Sequence, residues 1–173
     1  GKLARVRVQS SHFGHLFDHG IDLIHPPFWY LLWALGLTQT GMSVDVGLVA
    51  ILIFVGYIAG RFAELAFQKA CGGSLFAWRP FDSWFRLVTA RRNPCLIILT
   101  LALLMGAPEA GLWGVVVWTA ATSVVLWLRV LQALLARWRR GGKLPAWFES
   151  PDAAHSHPRS HRVFSGTRGA YRA

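Results

Sequence analysis

Residues 46–67 read VGLVAILIFVGYIAGRFAELAF, a run of 22 residues whose only charges are Arg61 and Glu64. A helix of about 20 apolar residues crosses the ~30 Å hydrocarbon core of a bilayer. The run lacks the polar stripe of a helix that packs on a soluble core. This stretch therefore predicts a transmembrane helix, and with it an integral membrane protein.

Three further segments approach the same length and apolar character, at 14–37, 94–105 and 112–135. The third span is short, and Asn93 and Pro94 are predicted as its N-cap and first helical residue. The 173-residue chain is 54% hydrophobic, above the usual share of a globular domain. We predict an all-α, polytopic membrane helix bundle with about four transmembrane helices.

Lysine and arginine occur on alternate sides of these spans. Three precede the first span, five lie between the second and third, eight follow the fourth, and the two other connections have none. The positive-inside rule places these three basic regions, and both ends of the chain, in the cytoplasm. With its composition, this predicts an integral protein of a bacterial inner membrane.

The net charge of +10 raises the question of which anionic partners the chain binds. Because the basic residues flank apolar runs, anionic lipid headgroups account for them better than nucleic acid does. We therefore expect membrane lipids as partners and no nucleic acid.

Within residues 68–93, aromatic and charged residues alternate in a way that favours an amphipathic helix at the membrane interface. We divide the chain into a transmembrane domain, 1–142, and a flexible basic cytosolic tail, 143–173.

Carboxylates at the start of the first span are the strongest indication of chemistry. Asp18 and Asp22 are four residues apart, which on a helix puts them on one face about 6 Å apart. Gly14 lies one turn earlier on that face. Charged residues in a membrane span are costly and usually functional. Two hard oxygen ligands on one face suit Mg²⁺ or Mn²⁺ bound to phosphates.

The first 22 residues extend this pattern. Arg5 is followed by eight residues, then Gly14, Asp18 and Asp22, while Gly1 and Ala4 precede it. The arrangement resembles the signature D-x2-D-G-x2-A-R-x8-G-x3-D-x3-D of the CDP-alcohol phosphotransferase (CDP-alcohol phosphatidyltransferase) family, from its first Gly onward. The resemblance implies a six-helix fold, a homodimer and transfer of a substituted phosphate from a CDP-linked donor to an alcohol, with release of CMP (a transferase of EC 2.7.8 type).

The same resemblance implies roles for individual residues and two bound Mg²⁺ or Mn²⁺ ions. Asp18 would be a metal ligand, and Asp22 both the general base toward the acceptor hydroxyl and a ligand. The residues implied for CDP binding are Gly1, Ala4, Arg5 and Gly14.

The first two Asp of the signature would immediately precede Gly1, and the chain starts without Met. We therefore expect an N-terminally truncated sequence that holds the third to sixth spans of the family fold. The 173 residues alone would lack half of the metal ligands, so we expect them to be inactive.

Three arginines are candidates for acceptor or phosphate contact: Arg61, Arg92 and Arg129. Alternatives remain for two of them. Arg61 either contacts substrate or pairs with Glu64 three residues later. Arg129 either contacts substrate or extends to the cytosolic interface.

Residues 16–22, LFDHGID, are more similar to the choline and ethanolamine phosphotransferases than to the phosphatidylglycerophosphate synthases. The donor is thus either a CDP-amino alcohol, with a lipid acceptor, or CDP-diacylglycerol, with a polar alcohol. A different alternative is also open. His15, Asp18, His19 and Asp22 in isolation fit the His/Asp cluster of a metal transporter or a metal-dependent membrane hydrolase.

Overall fold

The computed structural model describes residues 12–140, 144–150 and 152–164, and only the backbone of residues 12–19, 22–24 and 140. No strand occurs in these residues, so the all-α prediction is confirmed for them. The elements in chain order are α1 (His12–Gln39), α2 (Val46–Cys71), a 3-10 turn (Leu75–Ala77), α3 (Pro80–Val88), α4 (Arg92–Leu104), α5 (Pro108–Arg140), a second 3-10 turn (Trp147–Glu149), α6 (Ala153–Ser156) and α7 (Pro158–Phe164).

Two helices of the described chain, α2 and α5, are long and apolar enough to cross a membrane. At ~1.5 Å per residue, the 26 residues of α2 exceed the ~30 Å hydrocarbon core. Both helices expose large apolar side chains, a surface that soluble monomers rarely present. Among them are Ile51, Val55, Phe62, Val117 and Val124, each about 60% exposed. The polytopic character of the bundle is thus supported by two helices.

A third candidate span consists of α3 and α4 together, which meet at a bend of 48°. Helix α4 has 13 residues, about 20 Å, and is too short to cross alone. Helix α1 is not among the candidate spans of the described chain. The structure therefore supports two or three spans, and the predicted number of four stays a prediction.

The ends of α2 follow from local chemistry. Asp45 precedes the helix, and its Oδ1 accepts a hydrogen bond of 2.9 Å from the backbone N–H of Leu48. This satisfies one of the amide donors that every helix start leaves without a partner. Gly72 ends the helix at φ 76°, a left-handed conformation that costs glycine little.

Helix α5 packs against α2 in parallel. A Cβ atom at Gly56 would lie 3.1 Å from Thr119, and one at Gly60 would lie 3.3 Å from the Ser123 hydroxyl. The Ser123 hydroxyl in turn donates a hydrogen bond to the Gly56 carbonyl. Residue numbers thus rise together along both helices. Because the two helices run in the same direction, the chain between them must return across the bundle.

The bent pair α3–α4 makes this return, antiparallel to α5. A Cβ atom at Gly111 would lie 2.5 Å from Ala102 Cβ, so the two helices touch where α5 begins. Farther along α5, Thr122 accepts a hydrogen bond of 3.1 Å from the Ala90 amide. The pair therefore extends from the C-terminal half of α5 back to its start.

The start predicted for the third span is wrong by two residues. Helix α4 begins at Arg92, with Arg91 as its N-cap. Pro94 therefore lies in the first turn instead of at the first position. Proline is tolerated there because first-turn amides have no partner within the helix.

The amphipathic helix predicted within residues 68–93 is confirmed as α3. Its faces are inverted relative to a helix on a soluble protein. Asp82 and Ser83 are fully buried, whereas Phe81, Trp84 and Leu87 are 43–56% exposed. This arrangement suits a helix with polar protein on one side and lipid on the other.

Part of the predicted tail packs onto the bundle. Leu144 joins the core cluster around Phe67 and Leu126. The indole Nε1–H of Trp147 donates to Ser83 Oγ at 2.9 Å, and Phe148 is buried. Residues 144–150 and 152–164 thus form packed structure, which differs from the free tail that was expected. The domain division at residue 143 stays a prediction.

Candidate active site

Helix α1 carries the paired aspartates. It begins at His12, so Asp18 and Asp22 both fall within one continuous helix, as their spacing requires. Gly14 lies in its first turn. The side chains of these residues are outside the described part of the structure, and so are Gly1, Ala4 and Arg5 entirely. Their predicted roles stay predictions.

Two prolines lie inside α1 directly after the second aspartate, at Pro26 and Pro27. Proline has no backbone N–H, so these residues cannot donate to the carbonyls four positions earlier, at Asp22 and Leu23. Two backbone carbonyl oxygens, those of residues 22 and 23, therefore lack the N–H donor that a helix normally supplies. The sequence analysis drew no prediction from these two prolines.

The direction of α1 decides what surrounds the aspartates. The rings of Phe28 on α1 and Phe54 on α2 meet edge to face, with centroids 5.3 Å apart. The C-terminal half of α1, from Tyr30 to Leu37, packs with Val49 and Ile53 near the start of α2. The two helices are therefore antiparallel. The N-terminal half of α1 consequently runs to the end of the bundle where α2 ends.

At that end, two arginines share one carboxylate. Arg61 forms an ion pair with Glu64 through its Nη2. Arg91 reaches the same carboxylate from the start of α4, with its Nη2 3.3 Å from Oε1 and 3.2 Å from Oε2. The pairing of Arg61 with Glu64, one of the two alternatives for this residue, is thus confirmed. We name Arg61, Glu64 and Arg91 the basic cluster.

The basic cluster is not electrically balanced. Among the side chains that the structure describes, which leave out Asp18 and Asp22, two guanidinium groups face one carboxylate, so the cluster carries a formal charge of +1. The Nε atoms of Arg61 and Arg91 are buried, and neither has a hydrogen-bond partner in the described structure. Buried donors without partners are uncommon in native proteins and call for an explanation. Within the described side chains, the cluster therefore combines excess positive charge with two N–H donors that have no acceptor.

Arg92, which the sequence indicated, is placed differently from its neighbour. It is exposed, and its Nε lies 3.5 Å from the side-chain oxygen of Asn93. Adjacent residues of a helix point about 100° apart. Only one of Arg91 and Arg92 can therefore face α2, and the structure brings Arg91 to the cluster. Sequence reasoning missed Arg91 because the dipeptide alone does not show which residue turns inward.

Arg129 is engaged in a different contact. Its Nε and Nη2 donate to the two carboxylate oxygens of Asp82 at 2.6 and 2.8 Å. Its guanidinium also lies 4.6 Å from the ring centroid of Trp78. A two-point arginine–carboxylate pair of this kind is strong and directional. Nη1 also donates to Gln132 Oε1, so three of the five N–H donors of this guanidinium are engaged within the protein, and substrate contact by Arg129 stays a prediction.

The described side chains contain no group of three or more His, Cys, Asp or Glu that could hold a metal ion. That set leaves out the side chains of Asp18 and Asp22. Of this place the structure describes the backbone, a helix that carries two aspartates four residues apart. Carboxylate oxygens are ligands that Mg²⁺ and Mn²⁺ prefer, and their binding here stays a prediction.

Comparison with known proteins returns no relative: no family model, no curated protein and no solved structure matches the chain.

Proposed function

We propose that the chain belongs to a CDP-alcohol phosphotransferase of a bacterial inner membrane, with four spans in this part and its site facing the cytoplasm. The observation that carries the proposal is the spacing of Gly14, Asp18 and Asp22 on one helix, α1. The basic cluster at the same end of the bundle supports it. The enzyme would act as a homodimer, as the family resemblance implies.

The proposed reaction transfers a substituted phosphate. The acceptor's hydroxyl oxygen forms a bond to the phosphorus of the donor that carries the transferred group. The phosphoanhydride bond to CMP breaks, and CMP leaves with the bonding electron pair. Asp22 takes the proton of the hydroxyl as general base. Two divalent ions, when bound, would neutralise the pyrophosphate and the leaving CMP.

Residues of the chain would hold the donor in place. Asp18 and Asp22 would bind the ions. Gly1, Ala4, Arg5 and Gly14 would contact the CDP group, with the glycines allowing close approach of the nucleotide to the backbone.

The basic cluster would bind the second phosphate-bearing group. Its excess positive charge and the free Nε donors of Arg61 and Arg91 fit a phosphate on the donor or the acceptor. Arg92 and Arg129 remain in the proposal as weaker candidates, since one is exposed and the other is held by Asp82. The choice between CDP-diacylglycerol and a CDP-amino alcohol as donor is part of the test.

The test uses the protein expressed from its complete reading frame and purified in detergent with Mg²⁺ or Mn²⁺. CMP release is measured with CDP-diacylglycerol and with CDP-choline. We expect Asp22→Asn to lower kcat by about 10²–10⁴-fold, the usual contribution of a general base, with donor binding retained. Asp18→Asn should instead weaken binding of the metal and the donor.

Asp45→Asn is the matched control, because it removes a carboxylate at the opposite end of the bundle. Asparagine caps a helix as well as aspartate does, so α2 should keep its start and CMP release should be unchanged. Undiminished turnover in Asp22→Asn would exclude this residue as the base. Tight binding of zinc or iron without any response to CDP-linked donors would favour the metal transporter or hydrolase instead.

A further inference from the structure

The segment after the last long helix ends in a short helix, α7, that docks on α3. The indole Nε1–H of Trp84 donates to Ser160 Oγ at 2.9 Å. The same indole meets the ring of Phe164 edge to face, with centroids 5.1 Å apart. Phe164 is buried in a small core with Trp147 and Ala77. Helix α7 therefore docks on α3 through specific contacts.

The depth of this contact follows from α5. Asp82 of α3 binds Arg129, which lies 21 residues after Pro108 at the start of α5. At ~1.5 Å per residue this is about 31 Å along the helix, close to the thickness of a hydrocarbon core. A hydrocarbon core that began at Pro108 would therefore end near the Asp82–Arg129 pair. Helix α7 contacts α3 two residues later, at Trp84, and would then lie at the level of the headgroups.

The surface around α7 combines apolar and basic groups. Val163 on α7 and Leu87 on α3 are each more than half exposed. Arg159 and Arg162 are exposed too, and neither forms an ion pair within the described part of the chain. Helix α7 contains no acidic residue. Positive charge beside exposed apolar side chains is the composition of a surface that lies on an anionic membrane.

We propose that α7 is a membrane-surface element, held on α3 by Trp84, whose Arg159 and Arg162 bind the phosphates of anionic phospholipids in the adjacent leaflet. Val163 and the exposed face of α3 enter the boundary of the acyl chains. The partner of this surface is the leaflet itself. The positive charge of α7 is complementary to anionic headgroups, and the apolar face of α3 continues directly into α4. This inference is independent of the proposed enzymatic activity.

The test places a nitroxide spin label at Val163→Cys in the full-length protein, since the native Cys71 and Cys95 are buried and stay unlabelled. The protein is reconstituted in nanodiscs of phosphatidylcholine, with or without one third phosphatidylglycerol. Label accessibility is compared for oxygen, which enters the bilayer, and for a water-soluble nickel complex. In the anionic discs we expect the oxygen-to-nickel ratio to rise several-fold, and Arg159→Gln/Arg162→Gln should abolish the rise.

Arg137→Gln/Arg139→Gln is the matched control: it removes the same charge from exposed positions at the end of α5 and should leave the ratio high. Salt should reduce the rise, because headgroup attraction is screened. Equal ratios in both kinds of disc would overturn the proposal. So would a label shielded from both reagents, which would mean that a protein surface, such as a second copy of the chain, covers α7.

Discussion

Two arginines lie inside the long apolar helices, Arg61 on α2 and Arg129 on α5, and their charges are compensated in different ways. Arg61 pairs with Glu64, one turn later on the same helix. Arg129 pairs with Asp82, which belongs to another helix and precedes it by 47 residues in the chain. The first pair is local, and the second connects α3 to α5.

The two sites also differ in their access to water. The side chains of Arg61 and Glu64 are 25% and 23% exposed, whereas those of Arg129 and Asp82 are 11% and 0% exposed. Arg129 donates to both carboxylate oxygens of Asp82. Arg61 shares the carboxylate of Glu64 with Arg91, and its Nε has no acceptor in the described structure. The buried, complete pair is suited to hold helices together. The basic cluster is more exposed, and its single described carboxylate is shared by two guanidinium groups.

The largest loss of stability is expected from Asp82→Ala. Removal of the carboxylate leaves the Arg129 charge with little access to water and without its partner. Breaking a buried pair in this way costs about 3–5 kcal/mol of unfolding free energy. Thermal unfolding is measured in detergent. Its progress is monitored through the reaction of the buried Cys71 and Cys95 with a thiol-reactive dye.

A second variant tests the cause of this loss. Asp82→Ala/Arg129→Met removes both charges and keeps apolar volume, so it should recover most of the lost stability. Asp152→Ala, at an exposed carboxylate in the tail, is the control and should change stability little. If the double variant were as unstable as Asp82→Ala, the charge of Arg129 would not be the cause, and packing of α3 would be.

Glu64→Gln should have an intermediate effect. It leaves Arg61 and Arg91 close together without a carboxylate, but both side chains reach water. We expect a loss of about 1–3 kcal/mol, the cost of charged groups that lose their hydrogen bonds. Added phosphate should restore part of the melting temperature if the cluster binds anions, and Glu64→Asp serves as the charge-preserving control. A loss equal to that of Asp82→Ala would remove the distinction between the two sites.

The smallest effect is expected from Arg91→Gln. Arg61 keeps Glu64, and Arg91 is 37% exposed, so the lost pair should contribute below ~1 kcal/mol. The same melting assay measures it, with Arg92→Gln as the adjacent control. Phosphate stabilisation of the wild-type protein should nevertheless fall in Arg91→Gln and persist in Arg92→Gln. The opposite order would assign the anion contact to Arg92, as the sequence predicted.

The candidate site was only partly predictable. The spacing of Asp18 and Asp22 predicts a shared helix face, and α1 contains both positions. The Arg61–Glu64 pair was foreseeable because residues three apart on a helix are neighbours. Arg91 was not, because its partner is on another helix and its identical neighbour, Arg92, has the same chemistry. Whether a side chain faces inward depends on where α4 begins, and that point is set by packing.

The sequence by itself determined the apolar helices α2 and α5 and the helical class, because these follow from the chemistry of neighbouring residues. Only the tertiary structure decided the 48° bend between α3 and α4, the Asp82–Arg129 pair and the docking of residues 144–150 and 152–164. Leu144, Trp147 and Phe164 were visible in the tail, but their basic and polar surroundings indicated solvent. Contacts between residues far apart in the chain depend on how the helices pack, and no local pattern carries that information.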